Sequence, residues 1–134
     1  MLRVGVIGAT GYTGEELIKI LLRHPHVKIT YLSAKIDKPQ DISKVFPYLA
    51  GKINLVCDNL NIDKAIASAD LLFLALPHTV SMQVAPKFLK ASKKVIDLSA
   101  DYRLKDVSVY NKWYNLAHKD KNNLSKAVYG LPEF

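Results

Sequence analysis

Gly8, Gly11 and Gly14 stand at three-residue intervals between an apolar run, Leu2 to Ile7, and a segment with helical periodicity. Glycines so placed do chemistry with backbone rather than with side chains. The first can turn the chain sharply, the second lets backbone approach an anionic group, and the third lets a helix pack close to a strand. Backbone N–H groups at the helix N-terminus then point at a ligand, and the helix dipole favours its negative charge. With Thr10, Tyr12 and Thr13 between the glycines, Gly8 to Gly14 reads as a cradle for the pyrophosphate of a dinucleotide. The spacing G-x-x-G-x-x-G departs from the common G-x-G-x-x-G, because Ala9 and Thr10 precede the second glycine. The bland alternative is a glycine-rich turn that only joins two packed elements.

A second group of polar residues bears on which dinucleotide would bind. An NAD site places Asp or Glu about 20 residues beyond the first glycines, to accept hydrogen bonds from the ribose 2′-OH. Here the β-prone run Val27 to Ser33 ends in Ser33-Ala34-Lys35. A hydroxyl and a cation suit a 2′-phosphate, so NADP is favoured over NAD. Asp37, the nearest acid, would reverse that preference if the strand ran longer, and Lys35 could equally be a solvated lysine. Two more groups follow apolar runs of strand length. Pro77 and His78 come after Leu71 to Leu76, and Ser99, Ala100, Asp101 and Arg103 come after Lys94 to Ser99. Open α/β sheets bind ligands outside the carboxyl ends of their strands, which makes His78 a cofactor neighbour or an exposed loop histidine. Arg103 could clamp a phosphate with two hydrogen bonds or pair with Asp101 or Asp106. Cys57 has no basic or histidine neighbour in sequence, so it reads as a small buried hydrophobe rather than a nucleophile.

The elements that must position these groups are legible from periodicity. Leu2 to Ile7 is a central parallel strand, and Leu17, Ile18, Leu21 and Leu22 mark one helical face that Pro25 closes near His24. Thr13 and Glu16 match a capping box at that helix's start. Lys52 to Cys57 alternates as an edge strand would, and Asn61 to Ile66 is a short capped helix. Leu71 to Leu76 is a second central strand. Val80, Val84, Ala85, Phe88 and Leu89 form a helix in which Pro86 must cause a kink or a broken hydrogen bond. Val107, Tyr110, Trp113 and Tyr114 make an aromatic helix face behind Asp106. Lys119 to Lys126 reads as a loop, and Ala127-Val128-Tyr129 as a final strand. Strands alternating with helices predict an α/β fold, Rossmann-like and doubly wound, with a mostly parallel sheet and helices on both faces.

At 134 residues the chain makes one domain, small for an oxidoreductase that handles two substrates. The formal net charge of +7 is spread over scattered lysines, which argues against nucleic acid as a partner. One cysteine excludes an internal disulfide framework, and no Cys/His cluster points to a metal. No apolar run approaches the roughly 18 residues of a membrane span, and no secretory leader is evident. A cytoplasmic protein is the expectation.

Four motifs in this order, Gly8 to Leu17, Leu76-Pro77-His78, Asp97 to Leu104 and Tyr129-Gly130-Leu131-Pro132-Glu133, resemble the N-terminal region of the N-acetyl-γ-glutamyl-phosphate reductases of arginine biosynthesis. The lysine-pathway relative that reduces the aminoadipyl analogue shares them. The resemblance covers essentially the whole chain and implies residues 1–134 as an NADP-binding Rossmann domain. It implies NADPH-dependent reduction of an acyl phosphate to a semialdehyde through a cysteine thioester, with a histidine as acid/base. The family's cysteine lies in an Asn-Pro-Gly-Cys turn downstream of Gly-Leu-Pro-Glu. The chain ends at Phe134, Cys57 does not match that turn, and no catalytic residue is assigned in this chain. The catalytic and dimerisation domain is therefore expected elsewhere, with the full-length protein a homo-oligomer through it. By the resemblance, Thr10 to Gly14 hold the pyrophosphate, Ser33 and Lys35 the adenosine end, and Pro77 with Ser99 to Asp101 the nicotinamide side. Arg103 holds the substrate phosphate. Family members often carry Arg near Lys35 and Gly where Thr79 stands. Aspartate-semialdehyde dehydrogenase and a free-standing NADP-sensing module are the alternatives.

Overall fold

Apolar residues fill most of Leu2 to Ile7, and a parallel strand of that kind is stable only where both faces are covered. In the computed structural model, which describes residues 1–130, it is β1 (Leu2–Ile7), an interior strand of a six-stranded sheet. Leu131–Phe134, and with them most of the Gly-Leu-Pro-Glu motif, lie outside the described residues. The chain continues through α1 (Tyr12–Leu22), β2 (Val27–Ser33), β3 (Gln40–Asp41), α2 (Ile42–Val45) and a 3-10 turn at Pro47–Leu49. Then come β4 (Val56–Asp58), α3 (Ile62–Ser68), β5 (Leu71–Leu74), α4 (Ser81–Lys90), β6 (Lys94–Asp97), α5 (Val107–Tyr114) and α6 (Lys121–Leu124).

The strand order is β3-β4-β2-β1-β5-β6, with every pairing parallel except β3 against β4. The fold is the Rossmann-like doubly wound sheet that the alternation of strands and helices predicts. From β1 the chain moves to β2 on one side and later to β5 on the other, so the topological switch point lies between β1 and β5. The two faces have separate cores. Val4, Val6, Ile29 and Leu32 join Ile18 and Leu21 of α1 on one, while Ile7, Leu72 and Leu74 join Ala65 of α3 and Phe88 of α4 on the other.

Several local expectations are corrected. β2 does not alternate throughout: Val4 pairs with Ile29 and Gly5 with Tyr31, which leaves Thr30 as a bulge and lets Ile29 and Leu32 share a face. The Thr30 hydroxyl donates to the Ser68 carbonyl at 2.8 Å, so the extra residue is satisfied from α3. The capping box does not form. α1 starts at Tyr12 with Gly11 as its cap, which puts Thr13 inside the helical turn, and Glu16 instead meets Lys19 at 2.7 Å. β4 is shorter than Lys52 to Cys57 and is not the edge, because β3 covers it. β5 and β6 each stop two residues early, and β6 is an edge strand, with Ile96 and Leu98 exposed. Within Lys119 to Lys126, α6 forms around the fully buried Leu124. Ala127-Val128-Tyr129 is not a strand. α4 runs through Pro86 to Lys90, the Asn61 cap forms as expected, and Asp106 caps α5.

Candidate functional site

The site is built where β1 ends. Gly8 takes φ +90°, a left-handed conformation open to glycine, and its N–H and that of Ala9 donate to the Ser33 carbonyl at 2.8 and 2.9 Å. The turn is thus tied to the end of β2. A Cβ at Gly8 would collide with the Ala75 carbonyl, and one at Gly14 with the Gly8 carbonyl, so these two glycines serve close packing within the protein. Gly11 differs. Its φ of −78° suits any residue, and the nearest atom to a Cβ there is the Gly8 oxygen at 3.7 Å. Packing therefore does not require glycine at position 11, and the space beside it is open. No side chain caps α1, whose first N–H groups lack intrahelical acceptors. An open cradle at an uncapped helix N-terminus, beside the switch point, fits a pyrophosphate. Around it Thr10 is half-buried and Tyr12 and Thr13 are exposed.

At the carboxyl end of β2, where the resemblance puts the adenosine, the picture changes. Ser33 is fully buried and its hydroxyl has no hydrogen-bond partner among the described residues, so the expectation of an open hydroxyl there is corrected: Ser33 acts through its carbonyl beneath the glycine turn. Lys35 is exposed. Asp37, the acid that sequence order put nearest, lies four residues past the end of β2. Pairing of β2 with β4 instead sets Asp58 opposite Ser33 and brings a carboxylate to this end. One Asp58 oxygen accepts the Asn59 N–H at 2.7 Å.

On the other side of the switch point, β5 leads into Ala75 to Val80. Pro77 and His78 are exposed, and the His78 ring packs 5.7 Å from that of Tyr114. Asp101 does not face this space. It is fully buried, and its carboxylate accepts the Thr79 N–H at 2.7 Å, the Met82 N–H at 2.9 Å and the Tyr110 hydroxyl at 2.9 Å. Ser99 is likewise engaged, since its hydroxyl donates to Asp97 at 2.8 Å and accepts the Asp101 N–H at 3.1 Å. Burial pushes the Asp97 carboxyl above the usual carboxylate range, against hydrogen bonds from Ser99. Ala100 accepts the Arg103 N–H at 3.2 Å and closes this turn. Arg103 takes neither carboxylate offered to it: Asp101 is occupied as above, and Asp106 caps α5 through the Ser108 N–H at 2.7 Å. Its guanidinium lies 5.8 Å from the centre of the Tyr129 ring and lines a groove of about 710 Å³ along β6, with Asp97, Ser99 and Lys126.

Thr79 sits at φ +75°, in the left-handed region that favours glycine. A β-branched residue there stores about 1–3 kcal/mol of strain, partly offset by the greater freedom of unfolded glycine. Thr79→Gly should stabilise the chain by about 1 kcal/mol, read as a higher urea midpoint at unchanged slope.

The family description "Semialdehyde dehydrogenase, NAD binding domain" matches residues 3–134. The chain belongs to that family. This semialdehyde dehydrogenase NAD-binding domain is 47% identical over 133 residues to an N-acetyl-γ-glutamyl-phosphate reductase of Desulforamulus reducens, and 48% identical over the same length to that of Desulfotalea psychrophila. Each match covers 99% of this chain and 38% of the relative, so the chain spans well under half the length of these curated relatives. Among solved structures, an aspartate semialdehyde dehydrogenase with NADP from Candida albicans aligns with a TM-score of 0.68 at 22% identity, over 80% of this chain and 32% of that one. That likeness shows the shared fold.

In this semialdehyde dehydrogenase domain Cys57 is fully buried in β4, and burial pushes its thiol up to about 11, away from nucleophilic use. The residues that sequence reasoning left without a functional role are Asp58, Tyr102, Tyr110, His118 and Asp120. His118 and Asp120 are buried, the Asp120 N–H donates to His118 Nδ1 at 3.0 Å, and His118 Nε2 meets the Asp101 carbonyl at 2.7 Å. Tyr102 donates to Asp120 at 2.6 Å. Burial, then the adjoining carboxylate, raises both tyrosine hydroxyls. No spacing marks such a group, because its contacts span up to 22 residues. Among the described residues, no helix is long and apolar enough to cross a membrane.

Proposed function

We propose that this chain binds NADP as the dinucleotide-binding unit, residues 1–134, of an N-acetyl-γ-glutamyl-phosphate reductase. The observation that carries the reading is the open space at Gly11 above an uncapped α1. That geometry suits a pyrophosphate, and packing alone gives no reason for it. The relatives that match 99% of the chain and bear that name support the choice of reaction. When bound, the nicotinamide supplies hydride for reduction of an acyl phosphate to a semialdehyde. The residues here bind and orient. The α1 N-terminus takes the pyrophosphate, Lys35 the 2′-phosphate, and the loop from Ala75 to Val80 borders the nicotinamide. Arg103, free of carboxylate partners among the described residues, takes the substrate phosphate. The thiol that would carry the acyl group belongs to a further domain, where oligomer contacts are also placed.

Calorimetric titration tests the cofactor. A lysine–phosphate contact is worth roughly 1.5–3 kcal/mol, so NADPH should bind about tenfold or more tighter than NADH. Equal or reversed affinities overturn the preference. Reversal would point to Asp58 as acceptor for the ribose hydroxyls, which its place opposite Ser33 favours. Binding of neither overturns the dinucleotide reading. The reaction is tested by NADPH oxidation with N-acetylglutamyl phosphate, using this chain extended by its downstream coding sequence.

A further inference from the structure

In a doubly wound sheet the adenosine lies toward the strand after the first helix, here β2, so the nicotinamide half must extend the other way across the end of β5. The surface it meets there is the loop from Ala75 to Val80. This loop is joined to the glycine turn by the Ala75 N–H, which donates to the Ile7 carbonyl at 2.8 Å. It holds Thr79 in a left-handed conformation that a β-branched residue adopts only when its surroundings impose it. What imposes it is a group from 22 residues away. Asp101 Oδ1 accepts the Thr79 N–H and the Tyr110 hydroxyl, and Oδ2 accepts the Met82 N–H in the first turn of α4, which has no cap from its own segment. A carboxylate there also complements the positive end of the helix dipole. Behind Asp101 the chain of contacts continues through His118 to Asp120 and Tyr102. This buried network thus spans from the α5–α6 region to the loop beside the switch point.

We propose that Asp101 is a positioning residue for the nicotinamide half of the cofactor: its buried carboxylate, held by the Tyr110 hydroxyl while His118 meets its backbone carbonyl, sets the shape of the Pro77-His78-Thr79 loop. The proposal rests on the NADP-binding reading above. A role confined to folding would weaken every ligand alike or none, whereas loop positioning acts on only one half of the dinucleotide. The test compares NADPH with adenosine 2′,5′-bisphosphate, which occupies the adenosine half alone, in the unaltered chain and in Asp101→Asn and Tyr110→Phe. Circular dichroism and urea midpoints report folding. Asp101→Asn places an amide donor against an N–H and should weaken NADPH by at least about tenfold. Tyr110→Phe removes one hydrogen bond and should weaken it about threefold to tenfold. Adenosine 2′,5′-bisphosphate should stay within about twofold in both. If Asp101→Asn does not fold, Tyr110→Phe decides. Folded variants that bind NADPH as the unaltered chain does, or that lose both ligands equally, overturn the positioning role alone. An unaltered chain that binds neither ligand overturns the NADP reading, and this proposal with it.

Discussion

Gly8→Ala should lower the stability of the chain by about 3 kcal/mol or more, a large fraction of the 5–15 kcal/mol available to a domain of this size. Two effects add. An L-residue at φ +90° carries a backbone penalty of roughly 1–2 kcal/mol, and its Cβ would be driven into the Ala75 carbonyl, an overpacking of about 1–3 kcal/mol. Neither partner can retreat cheaply, because Ala75 donates to Ile7 at 2.8 Å and Gly8 to Ser33 at 2.8 Å. Gly51 is the internal control. It too has positive φ, 76°, but a Cβ there meets nothing within 4 Å. Gly51→Ala should therefore cost only the backbone part, about 1 kcal/mol. Urea denaturation of the two variants separates conformation from collision. Equal losses would show that the Ala75 contact relaxes without cost.

Gly11→Val should do the reverse, leaving the fold intact and removing the ligand. Position 11 has an ordinary φ of −78° and a Cβ there makes no contact closer than 3.7 Å, so the urea midpoint should move by less than about 0.5 kcal/mol equivalent. The added branched side chain would fill the space at the α1 N-terminus that a pyrophosphate needs. NADPH affinity should fall at least about 100-fold, equivalent to roughly 2.7 kcal/mol. A folded Gly11→Val protein that binds NADPH normally would place the cradle elsewhere.

The contrast between these two glycines shows how far the sequence reaches. Their triplet, the strand before it and the helix after it are local signals, and they sufficed for a strand, a glycine turn and a helix N-terminus on a doubly wound sheet. The same holds for Asn61, whose capping side chain bonds the Lys64 N–H three residues on. The capping box misled because Thr13 and Glu16 have the right spacing whatever residue starts the helix, and the turn at Gly8 starts it at Tyr12. Which glycine is open and which is packed depended on Ala75, a residue 67 positions beyond Gly8 that only strand pairing brings near.

Composition and periodicity determined the fold class, the glycine turn between β1 and α1, and the burial of Cys57. Tertiary structure alone decided the bulge at Thr30, the burial of Ser33, the place of Asp58 opposite it, and the burial of Asp101 in a network with Tyr110 and His118. The physical reason is the range of the interactions. Periodicity and caps report contacts within one or two turns of chain, whereas a buried carboxylate or an unpartnered hydroxyl is defined by donors that arrive from other strands and helices.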